Sequence, residues 1–171
     1  MINTKKFWKN KKGFNGLIIV LPMLFFILAF MFSKPIVTGL VIGNESLNIS
    51  ENFSLEELIR SSTARRIGLD NIPNDEHLKN LQVVVDEIAQ PLRDHFGKPV
   101  RINSGYRSPA LNAAIGGSKK SQHSKGEALD LEIDGVSNLE VADWITDNCD
   151  YDQVILEFYN PAEGPNSGWV H

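Results

Sequence analysis

From Gly16 to Phe32 every residue is apolar, and Lys5, Lys6, Lys9, Lys11 and Lys12 precede that run with no acidic residue among them. A stretch this apolar cannot face water along one side as a surface helix does, and slightly extended it reaches the roughly 20 residues that cross a bilayer. The lysines hold the N-terminus on the cytoplasmic side, so the remainder faces outward. The expected organisation is a basic cytoplasmic segment over 1–15, one transmembrane signal anchor over 16–34, a linker over 35–52 and a folded domain over 53–171. A cleaved signal peptide, with Val37-Thr38-Gly39 as the small-residue site, is the alternative, but the run is bulkier and longer than most signal cores.

Residues 35–171 carry 11 basic and 21 acidic side chains, a net charge of −10 with histidine neutral. A surface of that sign repels phosphate backbones and excludes nucleic acid as the expected partner. Cys149 is the only cysteine, which rules out an intrachain disulfide and a cysteine-rich zinc site. The chain as a whole is 42% hydrophobic, which suits one globular domain plus the apolar appendage, expected as a monomer.

The linker 35–52 has no sustained period. Ser54-Leu-Glu-Glu57 then has capping-box spacing, with Leu55, Leu58 and Ile59 as an apolar face, and predicts a short helix ending before Gly68. Leu78, Leu81, Val84, Val85, Ile88 and Leu92 recur at helical spacing and predict a long amphipathic helix that Gly97 ends. Val100 and Ile102, then Leu129, Leu131 and Ile133, alternate with polar residues as strands do, which turns Asp130 away from the leucines. Ser137-Asn-Leu-Glu140 opens a further helix before a strand around Val154 to Phe158. Helices and strands without regular alternation predict an α+β domain, a small, mostly antiparallel sheet with helices on one face.

His123 and Asp130, separated by six intervening residues in Ser121-Gln-His-Ser-Lys-Gly-Glu-Ala-Leu-Asp130, together with His171 after Gly168-Trp169-Val170, form a set that suits one zinc ion. Two imidazoles and a carboxylate leave a fourth position for water, whose pKa the ion lowers to about 7. The water still needs a base. A hairpin pairing Asp152 to Tyr159 with Gly168 onward, symmetric about Gly164, would set Glu157 opposite His171 on the same face, with Glu163 the lesser rival. Arg107 offers a planar fork for a substrate carboxylate or for the oxyanion. Ser121 either hydrogen-bonds substrate or orients the loop carrying His123, and Tyr106 and Trp169 either line a cleft or pack internally. His77 and His95 are expected to be surface or hydrogen-bonded side chains.

Ser104-Gly-Tyr-Arg107-Ser-Pro, the run from Gly116 through Ser121, His123, Gly126 and Ala128 to Asp130, and the closing Trp169-Val-His171 closely resemble the zinc D-alanyl-D-alanine carboxypeptidase family, which shares its fold with hedgehog signalling domains. The resemblance spans roughly 53–171. It implies His123, Asp130 and His171 as ligands to one Zn²⁺, Arg107 as a contact to substrate or transition state, and hydrolysis of peptide bonds in peptidoglycan stem peptides on the periplasmic or cell-wall side of the membrane. Several relatives place an acid three residues before the last histidine, where this chain has Gly168, and continue the strand past that ligand. Here the sequence ends at His171, so the expectation is a terminal carboxylate beside the metal and a shortened reading frame. The other functions considered are a non-catalytic zinc-containing wall-binding module and a phage endolysin with an N-terminal anchor.

Overall fold

A computed structural model describes residues 5–8 and 47–171. The expected anchor over 16–34 lies outside the described residues, and among those described no helix is long and apolar enough to cross a membrane.

Where one helix is expected before Gly68, the chain forms two, α1 (Leu55–Ile59) and α2 (Ser62–Ile67). Each begins on its own serine: Ser54 Oγ accepts the Glu57 N–H at 3.3 Å and Ser61 Oγ accepts the Ala64 N–H at 3.1 Å. The break has a use. An uninterrupted helix would spend the Leu58 carbonyl on Ser62, whereas here it accepts the Tyr106 N–H at 2.8 Å and so ties α1 to the loop that carries Arg107.

The amphipathic helix runs from Asp75 to Phe96 as α3 (Asp75–Val84), a π-helical stretch (Val85–Ala89) and α4 (Gln90–Phe96). The wider stretch ends at Ala89, two residues before Pro91, which has no N–H to donate and whose ring crowds the preceding turn, so the helix loosens there rather than stopping. Leu81, Val85, Ala89 and Leu92 are fully buried on its inner side.

Strands β2 (Val100–Ser104), β3 (Asp130–Ile133), β4 (Gln153–Glu157) and β5 (Trp169–Val170) form an antiparallel sheet in the order β4-β5-β3-β2. An N-terminal strand, β1 (Lys5–Trp8), pairs antiparallel along the outer edge of β4, from Lys5 opposite Leu156 to Trp8 opposite Gln153. Ile102 lies opposite Leu131, Leu131 opposite Val170, and Val170 opposite Leu156, so these side chains share one face. That face joins the core with α6 (Asn138–Asn148), whose Val141, Ala142 and Ile145 are buried, and with the long helix. Ile49 and Phe53 enter the same core. By alternation, Asp130, Gln153, Glu157, Trp169 and His171 project from the opposite face, where the site is built.

Candidate metal centre

The two histidines and the aspartate meet. His123 Nε2 lies 3.3 Å from Asp130 Oδ1 and 3.2 Å from His171 Nδ1, and His171 Nδ1 lies 2.8 Å from Asp130 Oδ1. Ligand atoms held tetrahedrally at zinc distances stand about 3.3 Å apart, so this triangle is close to the size one ion needs.

Each side chain reaches the triangle by a different local device. Asp130 opens β3 with Leu129 and Leu131 turned into the core, and His171 follows β5. A reciprocal backbone pair with Ile155 fixes His171, both bonds at 2.8 Å. His123 sits in a short 3₁₀ turn (Gln122–Lys125), only 2% exposed, with Nδ1 2.8 Å from the Gly105 carbonyl oxygen. A carbonyl only accepts, so Nδ1 carries the hydrogen and Nε2 presents a lone pair to the triangle. Gly105 is placed by close approach: a Cβ there would collide with the Leu58 backbone, so a side chain at 105 would push this carbonyl out of position.

Burial would raise the Asp130 carboxyl, but His123 and His171, when each carries a proton on the nitrogen facing it, outweigh burial by hydrogen bonding and charge and hold the group well below the usual carboxylate range. Asp130 is therefore an anion. With a lone pair on His123 Nε2 facing it, the centre calls for a positive charge among its atoms, supplied by a proton or a metal ion. Among the described residues this trio is the one group of three or more such side chains able to hold a metal.

Arg107 flanks the centre, its guanidinium 3.5 Å from Asp130 Oδ2 and its backbone N–H bonded to the His123 carbonyl at 3.1 Å. Asn71 secures this loop by donating to the Tyr106 carbonyl at 2.9 Å and accepting the Ser108 N–H at 2.6 Å. A cleft of about 580 Å³ opens over the trio, and its wall includes Arg107, Ser121, Glu157 and Trp169.

The hairpin register differs from expectation. Ile155, not Glu157, stands opposite His171, and Glu157 stands opposite Trp169. The 158–168 connection is not symmetric: Phe158 takes a left-handed φ of 55°, and Ser167 Oγ donates to the Asn160 carbonyl at 2.8 Å and accepts its N–H at 2.9 Å, closing the loop on itself. A two-residue slip preserves the face, so Glu157 still lines the cleft. Gly168 cannot carry an acid in its place. Its φ is 69°, and a Cβ there would run into the Glu157 carbonyl oxygen. Glu163, the rival base, is exposed in the connecting loop, bonded to Asn160 Nδ2 at 2.7 Å, and is absent from the cleft wall.

Tyr106 is a core residue, with its hydroxyl 3.3 Å from His77 Nδ1, whereas Trp169 lines the cleft. His95 stacks on Trp144 at 4.8 Å. Sequence reasoning missed Gly105, whose role is carried by its carbonyl, and the cleft residues Asn112, Lys120, Asp152 and Gln153. No local pattern marks these four, because the fold assembles them from separate elements.

A family model described as Peptidase M15 matches residues 51–160, which take in Arg107, Ser121, His123, Asp130 and Glu157; His171 lies beyond the matched span. No curated protein and no solved structure matches the chain.

Proposed function

The chain belongs to the peptidase M15 family of hydrolases, and from that premise we propose that it is a zinc metallopeptidase cleaving peptide bonds in peptidoglycan stem peptides, of the D-alanyl-D-alanine carboxypeptidase or endopeptidase type. The observation that carries this reading is the convergence of His123 Nε2, Asp130 Oδ1 and His171 Nδ1 on one point at the floor of a cleft. The donor set fits zinc: borderline-soft imidazole nitrogens and one hard carboxylate, too few oxygens for calcium and too much nitrogen for magnesium.

His123, Asp130 and His171 would hold the ion, which when bound acidifies water and polarises a carbonyl. Glu157 shares the cleft wall with His171 and takes the proton of the attacking water, then returns it to the leaving amine. Arg107, beside Asp130, receives either the developing oxyanion or a substrate carboxylate. Ser121 stands in the same wall, where its hydroxyl meets substrate.

The lysine-flanked run supports a membrane-anchored protein with its catalytic domain outside the cytoplasm. In one molecule that topology and the pairing of Lys5–Trp8 with β4 exclude each other, since the bilayer would separate them. Anchoring therefore leaves the outer edge of β4 without β1.

The test uses full-length protein in detergent, loaded with zinc and given peptides ending in D-alanyl-D-alanine alongside intact cell-wall peptide. Release of D-alanine or a fragment is expected. Glu157→Gln should keep its zinc and lose about 10²- to 10⁴-fold in kcat. Absence of release by a zinc-replete wild type contradicts the reading.

A further inference from the structure

The trio lies in the middle of the sheet, His171 following β5 and Asp130 on β3, and charges of opposite sign flank it. Arg107 stands just past the end of β2, and Lys120 lies in the loop leading to His123, tied to the helix that follows Arg107; Asp152 stands at the foot of β4, with Glu157 at its other end. All four line the same cleft. Three strand spacings separate β2 from β4, about 14 Å, which is the reach of a peptide of about four extended residues.

Register shows that Asp152 belongs at this end of the sheet. Ile155 pairs with His171, so the residues before Ile155 continue past the metal ligand, and Asp152 and Gln153 emerge beside it. The backbone at Lys120 is held in place. Its N–H donates to Ser118 Oγ at 3.2 Å, the Ser118 carbonyl accepts the Ser121 N–H at 3.0 Å, and Asn112 Nδ2 donates to that same carbonyl at 2.8 Å, tying the loop to α5 (Pro109–Ala114). Among the described residues neither Lys120 nor Asp152 has an ion-pair partner, although acids outnumber bases nearly two to one in residues 35–171. A lysine in the wall of a cleft within so acidic a domain concentrates positive potential where the low-dielectric walls focus it.

We propose that the cleft selects peptides of split charge, with Lys120 drawing a substrate carboxylate to the Arg107 side and Asp152 drawing a free amine to the β4 side. The inference deepens the peptidase reading and rests on it. Lys120 and Asp152 act here as specificity-determining residues and take no part in the chemistry.

The experiment uses a tetrapeptide ending in D-alanyl-D-alanine in four forms, with the C-terminus free or amidated and the N-terminus free or acetylated. With full-length, zinc-loaded protein, Lys120→Gln should raise KM about three- to fivefold for free-carboxylate forms and leave amidated forms unchanged, the size typical of one exposed charge pair. Asp152→Asn should do the same for free-amine forms and spare acetylated ones. Both effects should shrink in high salt, with kcat and zinc content unaltered. Equal effects on capped and uncapped forms, or none, overturn the proposal. The same forms titrated by calorimetry against Glu157→Gln separate the two ideas. A charge preference in binding without wild-type cleavage sinks the peptidase reading alone, cleavage without preference sinks the split-charge cleft alone, and no binding of any form with no cleavage sinks both.

Discussion

His123 donates its Nδ1 hydrogen to the carbonyl oxygen of Gly105 at 2.8 Å, so a residue that offers only backbone decides which imidazole nitrogen faces the metal centre. The arrangement depends on Gly105 lying flat against Leu58 of α1, which the break between α1 and α2 allows.

Gly105→Ala should therefore weaken the metal centre without touching a ligand. Loss of a hydrogen bond that orients a ligand typically costs 10- to 100-fold in metal affinity. Competition with a chromophoric chelator reads this directly. Unchanged affinity would mean that the Gly105 carbonyl does not orient His123.

Gly168→Glu places an acid three residues before His171, where several relatives of the resembled family have one. Here it should lower stability rather than add a base, because the left-handed φ alone costs about 1–3 kcal/mol and the collision with the Glu157 carbonyl oxygen adds to it. Thermal melting of the zinc-free protein gives the sign. A variant as stable as wild type and still active after Glu157→Gln would assign the base to position 168.

The topology carries its own prediction. In a Cys149→Ser background, Lys6→Cys in intact cells should react with a membrane-impermeant maleimide only after permeabilisation, as expected with the N-terminus inside. Labelling from outside, together with a disulfide to a cysteine placed at Ile155, would instead show β1 seated on β4 and no span between them.

Much of the site was legible because its chemistry is local in sequence. His123, Asp130, His171 and Arg107 stand in short motifs, and alternation around Leu129 and Leu131 predicts the face that Asp130 takes. The long helix and α6 were equally plain from apolar spacing and serine caps. Position within the hairpin was not. Register there depends on how residues 158–168 fold, and hydrogen bonds from Ser167 to Asn160 and from Asn138 to Gly168 carry no periodic signal. The split of the first helix at Ser61 was hidden for a similar reason: its compensation comes from Tyr106, 45 residues away, through the bond to Leu58.

The most direct measurement is zinc per folded chain, by elemental analysis of full-length protein after dialysis against trace metal-free buffer. One equivalent is expected in wild type, and well below one in His123→Ala and in Asp130→Asn, with folding of each confirmed by circular dichroism. Wild-type protein that is folded yet holds no zinc, or variants that retain a full equivalent, would contradict a metal centre built from His123, Asp130 and His171.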